Sequence, residues 1–206
     1  MGYYIFSYGI EAERVRETFG SKNQRFLAEI EQNEVFENYS DFQPGGYKTT
    51  PAKALKEIIN GSVFDAKSNY AYGYAIIGIC ATLGTDLPYT QEIKLGYDTD
   101  LVNDILSEDF GIIGFSIEEE LLEDNNPFKI PRIDDWPLIS LLTLSDLEEL
   151  RSKLGDVRIP EKTSDSFSNT NEEDEDKILA YEHLNGILAN VRFCIDNKLD
   201  MISFCH

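Results

Sequence analysis

The sequence is poor in the residues on which catalysis and metal binding most often rely. It contains two histidines and three cysteines. Histidine is both the commonest general acid or base and the commonest metal ligand. The few histidines and cysteines are scattered and lack the paired spacing of a zinc site. The sequence therefore predicts no metal site and no cofactor, and it lowers the expectation of an enzyme.

The cysteines also indicate the compartment. Cys80, Cys194 and Cys205 are odd in number, lie far apart and show no C-x-x-C spacing, which is typical of free thiols in a reducing compartment. No stretch reaches the roughly 18 consecutive apolar residues that span a bilayer, and the first residues lack the features of a secretory signal. We therefore expect a cytoplasmic protein that does not enter a membrane.

Basic residues are scarce as well. Eighteen stand against 38 acidic residues, for a formal net charge of -20. Residues 98–124 hold ten acids and no base, and residues 161–176 hold seven acids and one base. Nucleic-acid affinity rests largely on Lys and Arg that replace counterions along the phosphates. The composition thus disfavours nucleic acid and anionic membranes and favours a basic protein partner, unless the charge serves only to keep the protein dispersed.

What the sequence does contain is ample apolar material, since 42% of its residues are hydrophobic. Residues 3–8 are aromatic-rich and bounded by Gly2 and Gly9, and residues 200–205 alternate as a strand does, so we expect these two ends to pair. Most of the chain between them shows helical patterns. The predicted fold class is α+β, predominantly helical with a small sheet that includes the N-terminal and C-terminal strands.

Helix starts are marked by capping residues. Ser21 and Gln24 have the capping-box form, Thr50-Pro51 places proline at the first helical position, and Thr143 or Ser145 is expected to cap a later helix. Apolar residues at helical spacing complete the prediction. The predicted helices comprise residues 11–19, a segment including 26–30, 51–60, 68–83, a segment including 101–106 that begins at Asp98 or Asp100, a segment including 147–154, and 177–197.

Two regions fit more than one interpretation. The helix 68–83 contains Gly73 and Gly78, each of which weakens it by about 1 kcal/mol relative to Ala unless the glycines allow close packing. Residues 110–117 fit either a strand or a loop, and residues 118–123 fit a helical turn.

We expect one domain over residues 1–206, with an acidic mobile loop at about 161–176. This tract is rich in Ser, Asn, Asp and Glu. Its composition also fits a linker, which leaves a division into two domains at about residue 160 as the alternative. The last helix and strand are too little to fold alone, so the single domain is preferred.

No phosphate loop, G-x-S-x-G, H-E-x-x-H or G-x-G-x-x-G motif is present. The most distinctive cluster is Asp134-Asp135-Trp136-Pro137, which sets two carboxylates beside the only Trp. Paired carboxylates share a proton or bind a divalent cation. Alternatively, one Asp orders the turn while the Trp anchors the segment in the core.

A second acidic group, residues 118–120, fits either a binding surface or a solvated helix start. The candidate binding residues are Glu118, Glu119, Glu120, Asp134, Asp135 and Trp136.

The two histidines are not assigned to a site. His183 is expected to be a half-buried surface residue of the last helix. His206 follows Cys205, and adjacent strand side chains point to opposite faces, so its imidazole is not placed to take the thiol proton.

Several segments together resemble a known family. They are the N-terminal aromatic strand, Gly20-Ser21-Lys22, residues 54–61, residues 72–75, residues 133–137 and the terminal residues 202–206. The chain is similar to an uncharacterised bacterial family of proteins with a domain of unknown function. The resemblance implies a single domain and a bacterial source, and it carries no catalytic residues or activity.

Three functions from different classes follow. The first is a cytoplasmic binding module that recognises a basic protein partner through an acidic face, as an immunity protein or antitoxin would. The second is an enzyme that uses Asp134 and Asp135 for proton transfer or cation binding. The third is a structural or scaffold protein.

Overall fold

The computed structural model describes residues 2–122, 127–155, 157 and 172–206, and the side chains of 172–174 are outside this description. The described residues form helices around a four-stranded antiparallel sheet of order β2-β1-β4-β3, which confirms the α+β prediction. The strands are β1 Tyr4–Ile10, β2 Ile93–Lys94, β3 Leu138–Leu142 and β4 Asp200–Cys205. The helices are α1 Ala12–Glu17, α2 Gln24–Glu31, α3 Glu34–Glu37, α4 Pro51–Asn60, α5 Asn69–Leu83, α6 Tyr97–Glu108, α7 Ile117–Leu121, α8 Leu144–Leu154 and α9 Glu172–Asn197, with a 3-10 turn at Ala66–Ser68.

The two ends of the chain pair, as the sequence predicts. β1 and β4 align antiparallel from Ile5 opposite Cys205 to Ile10 opposite Asp200. β3 covers the other edge of β4, with Leu138 opposite Cys205. β4 is therefore an inner strand, and both its faces are covered.

The side chains of β4 alternate between two hydrophobic cores, one on each face of the sheet. Ile202 and Phe204 of β4 lie in the first core, with apolar side chains of α1 to α5. Met201 and Cys205 point to the opposite face and lie in the second core, with side chains of α6 to α9. Successive strand residues face opposite sides of a sheet, so one strand supplies both cores.

The packing around α5 explains its two glycines. A Cβ atom at Gly73 would lie 2.7 Å from Ile133 Cδ1, and one at Gly78 would lie 2.4 Å from Phe36 Cδ2. Both distances are far inside van der Waals contact, so the glycines permit the close packing that the sequence left open. Although residues 70–80 of this helix are buried, no helix among the described ranges combines the length and apolar character needed to cross a membrane.

Two helix starts differ from the prediction. α2 is capped by Asn23, whose Oδ1 accepts from Phe26 N at 3.1 Å, and not by Ser21. Ser21 Oγ instead accepts from Asn23 N. α6 begins at Tyr97, after Gly96 with φ 86°, rather than at Asp98 or Asp100. In contrast, the predicted caps Thr50 and Thr143 are confirmed.

The last helix is longer than predicted. α9 begins at Glu172 rather than Lys177, so residues 172–176, which were expected in the acidic mobile loop, are helical. The rest of that predicted loop, residues 161–171, lies outside the described residues. The sequence did not predict this helical start, because the segment is polar and has no apolar residues at helical spacing.

Short elements were also missed or left undecided. The helix α3 and the two-residue strand β2 carry no repeating pattern that would reveal them. Residues 110–116 contain no strand, and α7 begins at Ile117 with Ser116 Oγ accepting from Glu119 N. The loop alternative is therefore confirmed for 110–116.

Three serines form a row across the sheet. Ser7 of β1 and Ser140 of β3 lie opposite Ser203 of β4. The hydroxyls of Ser7 and Ser203 lie 2.8 Å apart, whereas the buried Ser140 Oγ has no hydrogen-bond partner among the described residues. A buried hydroxyl without a partner loses its hydration with no compensation.

We expect Ser140→Ala to raise the free energy of unfolding by up to about 1 kcal/mol, because it removes an unpaired buried hydroxyl. Ser7→Ala leaves Ser203 Oγ unpaired and should lower it by about 1–3 kcal/mol. Urea unfolding of both variants beside the unchanged protein tests this contrast. A destabilisation of Ser140→Ala as large as that of Ser7→Ala would contradict it.

Candidate functional site

A groove of about 790 Å³ opens between the start of β1, the loop 42–47, the start of α5 and residues 134–136. Seven of its lining residues are aromatic. The aromatic residues are Tyr3, Tyr4, Phe42, Tyr47, Tyr70, Tyr74 and Trp136. We call this surface the aromatic groove.

Its floor is the first part of α5. Tyr70 and Tyr74 are four residues apart and therefore lie on one face of the helix. The ring of Phe42 contacts both, with centroid distances of 5.8 and 5.4 Å. The Tyr70 hydroxyl donates to the carbonyl of Thr49 at 2.8 Å, which ties the loop before α4 to this floor.

The segment with the two aspartates is attached to the same helix. Asn69 Nδ2 donates to the carbonyl of Arg132 at 2.7 Å and to Asp134 Oδ2 at 3.1 Å. Trp136 stacks on Tyr3 at a centroid distance of 3.9 Å. These contacts bring Asp134, Asp135 and Trp136 beside the N-terminal strand, from which they are far separated in sequence.

Exposed aromatic side chains are concentrated here. Tyr3, Tyr4, Phe42 and Tyr47 are 37–48% exposed, and they are four of the seven large hydrophobic side chains exposed among the described residues. Single exposed apolar residues are common, whereas a contiguous group is a feature of binding surfaces and makes the aromatic groove the candidate site.

The charges of the aromatic groove favour a cation. Asp134 and Asp135 are exposed carboxylates, and Lys67 is the one lysine or arginine that lines the groove within the described ranges. Burial lowers the pKa of His206, an effect that Glu92 opposes, so this imidazole is neutral at pH 7. Its Nε2 lies 2.7 Å from the hydroxyl oxygen of Tyr39.

The two tyrosines of the groove floor, Tyr70 and Tyr74, are not activated for proton transfer. Burial is the largest of the causes that raise the pKa of Tyr74, to about 12, and it also raises the pKa of Tyr70. Both hydroxyls therefore stay protonated at neutral pH. In the described part of the chain, no group of three or more His, Cys, Asp or Glu side chains is arranged to hold a metal ion. The arrangement suits binding of a cation between aromatic rings and carboxylates.

One family model matches the chain over its whole length. The model of DUF7691, a domain of unknown function, matches residues 1–206. The chain belongs to the DUF7691 family. It matches no curated protein and no solved structure. The predicted membership in a family with a domain of unknown function is confirmed, and the bacterial source remains a prediction.

The second acidic group of the DUF7691 protein lies on α7 and is partly paired. Glu118 Oε2 accepts from Asn103 Nδ2 at 2.8 Å. Glu120 forms an ion pair with Lys153, at 2.8 Å from Nζ to Oε1. Glu119 is exposed. Two of the three predicted binding carboxylates are thus already engaged by the protein itself.

His183 is not the half-buried surface residue that was expected, because its side chain is fully buried in α9. Its Nδ1 lies 2.7 Å from the Tyr89 hydroxyl. Its Nε2 lies 3.1 Å from Asp98 Oδ2, in an orientation that does not form a well-aligned hydrogen bond. Asp98 also accepts from Lys94 N at 2.7 Å. His183 therefore joins α9 to the loop before β2 and to the first turn of α6.

Sequence reasoning found the aspartates and the tryptophan but missed the aromatic residues opposite them. A signal was present, since Tyr70 and Tyr74 share a helix face, and Phe42 and Tyr47 flank the Gly45-Gly46 turn, where large aromatics are unusual. Which of these rings meet depends on the packing of separate elements. No periodicity within one element reveals it.

The burial of His183 predicts a pH dependence. Burial lowers its pKa from the usual 6.5, outweighing the opposing effects of Asp98 and Glu182. The unfolded chain therefore binds the proton more readily, and stability should fall as the pH drops below about 6.5, by up to about 1.4 kcal/mol per pH unit for each such histidine. We expect His183→Gln to reduce this slope in urea unfolding measured between pH 7.5 and 5.

The matched variant is His206→Gln, because burial also lowers the pKa of His206. Each single variant should lose the contribution of one histidine to the pH slope and retain that of the other. The comparison concerns the pH slope, so a lower overall stability of either variant does not affect it. An unchanged slope in His183→Gln would refute the assignment.

Proposed function

We propose that this DUF7691 protein is a cytoplasmic binding module that recognises a basic protein partner through the aromatic groove. The observation that carries the proposal is the convergence of four exposed aromatic side chains with two exposed carboxylates in one concave surface. An immunity protein or antitoxin in a bacterial cell would need such a surface.

The chemistry of the groove fits a lysine or arginine side chain. Aromatic faces attract cations through their quadrupoles, and Trp is the strongest of them. The carboxylates of Asp134 and Asp135 add direct charge complementarity. A side chain of the partner that enters between the rings would also bury the exposed Tyr3 and Phe42. Aromatic anchors of this kind carry much of the affinity of protein interfaces.

The net charge supports the same partner at longer range. A formal net charge of -20 attracts basic proteins and repels nucleic acids and acidic surfaces. Such attraction speeds association and orients the partner, and it weakens with salt because screening acts over about 8 Å at physiological ionic strength. Glu118, Glu119 and Glu120 fit this long-range role better than direct docking, since Glu118 and Glu120 already have partners.

The test uses the only tryptophan of the chain, which lines the groove and therefore reports on it directly. We expect a tetra-arginine peptide to change the fluorescence of Trp136, with an affinity that falls as salt is raised. Asp134→Asn combined with Asp135→Asn should weaken binding about tenfold, because each exposed charge pair contributes roughly 0.2–1 kcal/mol.

The matched control removes the same charge elsewhere. Glu29→Gln combined with Glu148→Gln neutralises two exposed acids on α2 and α8 and should leave the affinity nearly unchanged. Equal weakening in both double variants would mean that net charge alone attracts the peptide, and the groove would be rejected as the site. A tetra-glutamate peptide that binds as well as tetra-arginine would reject the cationic partner.

A further inference from the structure

A second cavity, of about 330 Å³, lies at the outer edge of β1. Ile5 pairs with Ile93 of β2, and Gly9 exchanges two backbone hydrogen bonds with Thr85, at 3.1 and 2.8 Å. Ser7 lies between these two pairings and lines the cavity, and none of the described strands lies opposite its outer edge. We call this space the edge cavity.

The backbone of Ser7 is available to a ligand. Tyr4 and His206 exchange hydrogen bonds across β1 and β4, so the backbone groups of alternate residues from Tyr4 onward point toward β4. Those of Ser7 point the other way, into the edge cavity. Among the described residues nothing is hydrogen-bonded to its N–H or C=O. Ser7 is half-buried, so without a ligand these groups are paired with water, and a ligand that reaches them replaces that water with its own donor or acceptor.

The wall opposite Ser7 is rigidly held. The side-chain amide of Asn190 accepts a hydrogen bond from the N–H of Tyr89 and donates one to its C=O, both at 2.9 Å. The Tyr89 ring lies over Gly186, where a Cβ atom would be 2.2 Å from the ring. Its hydroxyl contacts His183. These contacts fix the loop before β2 against α9, so the edge cavity is preformed.

The charged residues that line the edge cavity are acidic. Asp86 and Glu92 are exposed carboxylates in its wall, and no Lys or Arg lines it among the residues that the structure describes. The Tyr8 hydroxyl has no hydrogen-bond partner among the described residues. Tyr8, Asp86 and Glu92 line the same cavity. Burial is the largest of the causes that raise the pKa of Tyr8 to about 12, so its hydroxyl stays protonated at neutral pH. The remaining wall includes apolar side chains such as Leu87 and Ile187.

We propose that the edge cavity binds a small organic ammonium compound with an apolar body. The carboxylates of Asp86 and Glu92 offset the positive charge. The carbonyl of Ser7 and the Tyr8 oxygen accept hydrogen bonds from the ammonium group. The apolar body lies against Leu87 and Ile187. This site is separate from the aromatic groove and stands whether or not the groove binds a basic protein.

Phenethylammonium is a suitable probe, with phenethyl alcohol and 3-phenylpropanoate as controls of similar shape and different charge. We expect phenethylammonium at millimolar concentration to shift the NMR amide signals of Ser7, Tyr8 and Glu92. The alcohol should bind at least fivefold more weakly, and the anion should not bind. Absence of these shifts with phenethylammonium, or equal binding of the three compounds, would overturn the proposal.

Variants distinguish the two sites. Asp86→Asn combined with Glu92→Gln should weaken phenethylammonium about tenfold and leave tetra-arginine binding at the aromatic groove unchanged. Asp134→Asn combined with Asp135→Asn should have the opposite effect. All four positions are exposed, so the variants are expected to fold. Loss of phenethylammonium binding in the groove variant alone would place the ligand in the groove and reject the edge cavity.

Discussion

The antiparallel pairing of β1 with β4 is the constraint on which the rest of the structure depends. It joins segments from the two ends of the chain through a register of six residue pairs. β4 then lies inside the sheet, and its two faces supply both hydrophobic cores. The same pairing brings Tyr3 and Tyr4 beside His206 in the aromatic groove. It also leaves the outer edge of Ser7 open to the edge cavity.

The groove and the edge cavity share a wall. Tyr39 lines the edge cavity, and its hydroxyl lies 2.7 Å from Nε2 of His206, which lines the groove. The ring of Tyr39 also stacks on Tyr74 of the groove floor, at 5.0 Å between centroids. Glu92, on the cavity side, acts electrostatically on both Tyr39 and His206. The two sites therefore lie side by side, separated by Tyr39 and His206.

Local signals predicted local structure well. Thr50 followed by proline and Thr143 were recognised as caps because the capping hydrogen bonds involve residues at most three apart. The apolar pattern of 177–197 predicted most of α9, but the polar start at Glu172 was missed. Asn23 replaced Ser21 as the cap of α2 because both side chains can cap and only the path of the backbone decides between them. The strand β2 is held by its partner β1 and has no pattern of its own.

The sequence by itself determined the charge balance, the helical character of the middle of the chain and the strand character of its ends, since these depend on composition and on short-range spacing. Only the tertiary structure decided that Asp134 and Trp136 face Tyr3 and Tyr47, that His183 is buried between Tyr89 and Asp98, and that Glu120 is neutralised by Lys153. The physical reason is that these contacts join residues far apart in the chain. They arise from the packing of whole elements, which no local pattern encodes.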